Sequence, residues 1–187
     1  MSTFNDLLSK YTKVEEPTIP SLIVCDGTNT DTHFPLLTNW ADVINHSQMI
    51  YPSSLLESIN ITQVVFYHSK TSDLTGYIGT DNTLSFKISD TGVMTNSFQD
   101  DLTVVATSNR LVTTTDGGLV IFDLNEPYQY RGGNLLVDFY HPKHSYTNVY
   151  FYGVTSPTGN NQSYITYGSS KYGPDTFLPK IGFNQGL

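Results

Sequence analysis

The residues that could do chemistry are few, and their spacing suits catalysis poorly. A nucleophilic serine needs a sharp turn and a base, as in a Gly-x-Ser-x-Gly elbow. Tyr167-Gly168-Ser169-Ser170-Lys171 comes nearest and lacks the second glycine. The single cysteine, Cys25, excludes an internal disulfide and reads as a small buried hydrophobe. In His141-Pro142-Lys143-His144 two imidazoles could converge on a metal ion. Pro142 bars a helix interior there and Lys143 repels a cation, so two exposed loop histidines are expected. Asp100-Asp101 could supply the paired carboxylates of glycoside hydrolysis. Neighbours on a strand point to opposite faces, so a polar turn is expected instead. The chain contains no phosphate loop, dinucleotide fingerprint or Asp-x-Asp-x-Asp-Gly calcium loop. The expectation is a protein that is not an enzyme, with no catalytic residues, no cofactor and no metal.

Binding chemistry has more to work with. Sugars present apolar C–H faces that stack on flat aromatic side chains. Trp40 sits in the unpatterned Thr38-Asn39-Trp40-Ala41-Asp42, and Tyr140, Tyr167 and Tyr172 fall near strand ends or loops. These four are the candidate glycan-binding residues.

The elements that must position such side chains read as strands. Ser21–Cys25, Ile61–Tyr67, Leu102–Ala106, Arg110–Thr114, Leu119–Leu124, Asn134–Tyr140, Asn148–Tyr152 and Ser163–Tyr167 are apolar or alternating runs rich in β-branched and aromatic residues. Leu84, Phe86 and Ile88 alternate with Ser85, Lys87 and Ser89, as in a half-buried strand. Asp116-Gly117-Gly118 supplies positive-φ residues for a tight hairpin turn. Ser54-Leu55-Leu56-Glu57 is a capping box just after Pro52 and predicts a short helix near 54–59. Strands at this spacing predict an all-β fold, a β-sandwich of jelly-roll type, over residues 21–187.

Composition narrows the function classes. Only 14% of the 187 residues are charged, and the net charge is −8. Phosphate-backbone binding needs clustered Lys and Arg, so no nucleic-acid partner is expected. No apolar run is long enough to span a membrane as a helix, and no membrane partner is expected. Thirteen of the 17 acids are Asp, a residue of turns and loop tips, so the charge reads as loop solvation.

Residues 1–20 form a segment of a different kind. Thr3-Phe4-Asn5-Asp6 matches a capping box, and Phe4, Leu7, Leu8 and Tyr11 follow at helical spacing as one apolar stripe. Val14–Pro20 contains Pro17 and Pro20 and reads as an extended arm. A helix of two or three turns does not persist alone in water and needs a surface. The expected surface is a groove on another subunit, which makes the four stripe residues an anchor. The competing surface is the chain's own sandwich.

Several segments resemble a β-sandwich module of surface and adhesin-like proteins of Bacteroidetes. They are Gly27-Thr28-Asn29, His46-Ser47-Gln48-Met49-Ile50-Tyr51-Pro52, Ile61-Thr62-Gln63-Val64-Val65-Phe66-Tyr67, Phe151-Tyr152-Gly153 and Phe177-Leu178-Pro179-Lys180. The most specific is Pro127-Tyr128-Gln129-Tyr130-Arg131-Gly132-Gly133-Asn134-Leu135-Leu136. Its glycines permit a reversal, Asn134 tolerates unusual φ, and the leucines begin a buried strand. Members of that family follow a secretion signal, whereas Met1-Ser2-Thr3-Phe4 opens this chain with neither a basic nor an apolar leader region. The resemblance with this departure implies a structural protein of a crAss-like or other Bacteroidetes phage. It would be made in the host cytoplasm and built in several copies into the virion, contacting other virion proteins and host surface glycans. A bacterial cell-surface carbohydrate-binding or adhesin module is the alternative.

Overall fold

The computed structural model describes residues 20–36, 43–71, 74–142, 148–156 and 158–185. Among them the fold is all-β, built as two antiparallel sheets. Phe4, Leu7, Leu8, Tyr11, Trp40 and His144 lie outside the described residues.

Sheet A contains β1 (Leu22–Val24), β14 (Ile181–Gln185), β4 (Ile59–His68), β8 (Gly117–Tyr130) and β7 (Arg110–Thr114), side by side in that order. Beyond His68, β10 (Phe151–Thr155) continues the sheet between β13 (Phe177–Pro179) and β2 (Asn29–Asp31). Sheet B runs β12 (Ser170–Asp175), β11 (Ser163–Tyr167), β3 (Asn45–Tyr51), β9 (Asn134–His141), β5 (Thr83–Ser89) and β6 (Thr103–Ala106).

Period-2 alternation decides what faces inward. Val64 and Phe66 of β4, Val120 and Phe122 of β8, and Ile181 and Phe183 of β14 meet Met49 and Tyr51 of β3, Leu84 and Phe86 of β5, and Val137 and Phe139 of β9. The Phe66, Phe122 and Phe139 rings pack edge to face in this core. The Tyr51 hydroxyl, fully buried, donates to the Pro179 carbonyl across the two sheets at 2.9 Å.

A second apolar cluster lies on the other face of sheet B. Ile50, Leu136 and Tyr164 point away from the main core, and the β5–β6 connection covers them with Met94, Phe98 and Leu102. Gln48 holds that connection down. Its Nε2 donates to the Gln99 carbonyl (2.9 Å) and its Oε1 accepts from the Gln99 N–H (2.7 Å).

Four local expectations are corrected. The capping box at Ser54 does not form; a 3-10 turn over Ser53–Leu55 ends at an extended Leu56, and both leucines pack on the core. A short helix, α1 (Thr75–Ile78), occurs instead where no signal was read, and it buries Ile78. The β7–β8 turn falls on Thr115-Asp116, and Gly117-Gly118 open β8. Asn134 has no positive φ: Gly132 and Gly133 make the reversal, and Asn134 enters β9, accepting from the Ser53 N–H at 3.1 Å.

Candidate functional site

A cleft of about 410 Å³ opens at one end of the outer face of sheet A. Its walls are Pro20 and Ile23, Tyr67 of β4, Leu119 of β8, Tyr152 of β10 and Lys180, with Thr114 and Asp116 at the rim. Alternation brings them there. Phe66 points into the core, so Tyr67 must point out, and Ile23 does the same between Leu22 and Val24.

Gly182 lies between the core residues Ile181 and Phe183, so it too presents its outer side, where it has no side chain. A Cβ there would stand 2.5 Å from Pro20 Cγ and 2.9 Å from the Tyr67 hydroxyl. Glycine is required for this close approach. The Tyr67 hydroxyl is buried without a hydrogen-bond partner among the described residues. Burial, assisted by nearby Asp26, pushes its pKa up to about 12, so it stays protonated. The Lys180 ammonium sits 4.5 Å from the Tyr67 ring centroid and 2.5 Å from Asp26 Oδ1. The cleft therefore offers apolar walls and an ammonium already paired with a carboxylate, with the buried neutral hydroxyl of Tyr67 behind them. That is the composition of a binding cleft for a largely neutral ligand.

A second polar group lies on the outer face of sheet B. His46 Nε2 is 2.5 Å from Asp138 Oδ2, which also accepts from Gln48 Nε2 at 2.9 Å. The His46 ring packs against Phe98 at 4.0 Å, with Tyr140 at 6.1 Å. These bonds join β3, β9 and the β5–β6 connection; their evident work is to hold that connection.

The aromatic candidates read from the sequence do not share one platform. Tyr140 is exposed on the outer face of sheet B, beside His46. Tyr167 and Tyr172 pack on the main core from the opposite face. The registers give the reason: Thr166, His46 and Tyr140 form one rung, while Tyr167 pairs with Asn45, one residue out of phase. Tyr172 stacks on His33 at 3.8 Å with the rings 7° apart, which occupies one of its faces.

The chemical candidates also find places. His141 is not an exposed loop residue. It ends β9, is buried, and its Nδ1 lies 2.5 Å from Asn82 Oδ1. Asp100 and Asp101 fall in the β5–β6 connection, where the Asp100 carbonyl accepts from Lys87 Nζ at 2.8 Å and Asp101 has φ +60°. Cys25 belongs to the core, and burial pushes its thiol up to about 12, far from a reactive thiolate.

Sequence reasoning missed Tyr67, Lys180, Asp26 and Asp116. The signal available was the tyrosine on the outward phase of β4. Comparison with family models, curated proteins and solved structures gave no match.

Proposed function

We propose that the chain is a non-enzymatic structural protein of a phage virion, a jelly-roll module in a decoration, auxiliary or fibre-like position. The observation that carries this reading is a nested pairing of strands. Count β1, β3, β4, β5, β6, β8, β9 and β14 as one to eight. First then pairs with last, second with seventh, third with sixth and fourth with fifth. Sheet A runs 1-8-3-6 and sheet B runs 2-7-4-5 through these eight strands. That order supports a jelly roll, in which a long hairpin is wound into two Greek keys. Jelly rolls recur in viral capsid and lectin domains. Fold narrows function without fixing it, so the virion assignment also leans on the sequence resemblance. The test is a mass-spectrometric inventory of purified virions of phages that infect Bacteroidetes. Peptides of this chain in stoichiometric amount support the reading, and their absence from virions whose genome encodes the chain overturns it.

A second reading, a carbohydrate-binding module, is favoured by the cleft at Tyr67 and by the exposed Tyr140. A glycan array probed with the folded chain tests it. Binding weakened by Tyr67→Ala or by Tyr140→Ala would locate the ligand on sheet A or on sheet B, and an array without hits removes this reading.

A further inference from the structure

We propose that the cleft at Tyr67 binds an organic cation, whose neutral aromatic body fills the apolar walls and whose single positive charge reaches the rim at Asp116. This goes beyond both functional readings and seats a different ligand from the sugar that the second would place here.

The walls are the first argument. Pro20, Ile23, Leu119 and Tyr152 line the cleft and are each half-buried, so they keep apolar surface open to a ligand. An apolar cavity of about 150 Å³ holds benzene, so about 410 Å³ admits a ring that carries a short chain. A sugar fits these walls less well. It bears hydroxyls around its ring, and each one seated against an apolar wall gives up water without a new partner. The Tyr67 hydroxyl, buried behind the wall, does not supply one.

The charges are the second argument. Asp26 and Asp116 are exposed beside the cleft, and Lys180 is the one cation that lines it among the described residues. Lys180 Nζ is already paired with Asp26 Oδ1 at 2.5 Å. Asp116 forms no ion pair with a described residue. His68 also lines the cleft, and burial keeps it neutral at pH 7. Two carboxylates against one ammonium leave one negative charge, at Asp116. The net charge of −8 on the whole chain adds to the pull on a cation. The Lys180 ammonium over the Tyr67 ring, 4.5 Å from its centroid, shows that this site already accommodates a cation against an aromatic face.

The test titrates the isotope-labelled full-length chain with three probes of one shape and reads amide shifts of Thr114, Asp116, Leu119 and Tyr152. The probes are 2-phenylethylammonium, 2-phenylethanol and phenylacetate. An exposed ion pair is worth up to about fivefold in affinity. The cation is therefore expected to bind about threefold more tightly than the alcohol, and the anion most weakly. Asp116→Asn should bring the cation down to the affinity of the alcohol and leave the alcohol unchanged. Leu119→Ser should weaken both. Should Asp116→Asn fail to fold, added salt replaces it, because screening must shrink the preference for the cation in the wild type. The charge can arrive on a free amine or on a lysine beside an aromatic residue of a partner chain. N-acetyl-phenylalanyl-lysinamide separates these sources: tighter binding than the free amine supports the cation site as one for a partner chain, and weaker binding supports it as one for a small molecule. Equal affinity for the three probes, a preference for the anion, or no shift at these amides overturns the proposal. So does methyl β-glucoside if it moves these amides at lower concentration than the cation.

Discussion

His68 occupies the end of β4, 2% exposed, with its ring against Phe151 and over the backbone of Gly118. A Cβ at Gly118 would stand 2.2 Å from Cε1 of the His68 ring, and one at Gly117 would meet the His68 carbonyl. These two glycines therefore serve close packing between β4 and β8. Burial lowers the His68 pKa to about 4, offset in part by a hydrogen bond with the Lys70 backbone. Well above pH 6.5 the imidazole is neutral in both the folded and the unfolded chain, and its titration has no effect on stability. As pH falls below about 6.5 the unfolded chain gains a proton that the folded chain refuses, so stability declines until about pH 4. The total loss is about 3 kcal/mol. Urea denaturation between pH 7.5 and 4.5 is expected to show this decline in the wild type, and His68→Gln should lack that part of it. Equal slopes would show that His68 is not the source. Gly118→Ala is expected to destabilise by about 1–3 kcal/mol through overpacking. Combining it with His68→Ala should cost less than the sum of the two single changes, because the groups collide.

At the scale of elements, the β5–β6 connection is held on sheet B by the bonds of Gln48 and by the apolar contacts of Met94, Phe98 and Leu102. Gln48, fully buried on β3, bonds both the N–H and the carbonyl of Gln99, and its amide also reaches Asp138. Gln48→Leu leaves those partners unsatisfied and should cost about 1–3 kcal/mol. Limited proteolysis should then cut within residues 90–102 faster than in the wild type; unchanged cutting would mean that the apolar contacts of Met94, Phe98 and Leu102 suffice. The same polar set explains why β3 was not read as a strand. Asn45, Ser47 and Gln48 are buried there, so the segment lacks an apolar alternation. The helix signal at Ser54 was outweighed because Leu55 and Leu56 gain more by packing on the core than one capping interaction supplies.

Across the whole molecule, the first strand pairs with the last, and most sheet partners are distant in sequence. Such pairing closes long loops before any contact rewards them. Refolding from urea is therefore expected in milliseconds to seconds, and a microsecond phase that recovers the full native signal would contradict the nested order.

The chain's own pattern determined a good deal. Alternation at Leu84–Ile88, the β-branched run ending at Tyr67 and the glycine pair before Asn134 are local signals, and each became a strand or a reversal because side-chain period and backbone φ are local properties. The sequence also determined that Cys25 would be buried. Tertiary structure alone decided the rest. Register sets which face a tyrosine takes, and a shift of one residue separates Tyr140 from Tyr167. The cleft needs Pro20, Tyr67, Leu119, Tyr152 and Lys180 from five distant points of the chain. The outward phase of Tyr67 on β4 is a local signal, but the meeting of the five depends on strand order, and strand order is a property of the closed fold.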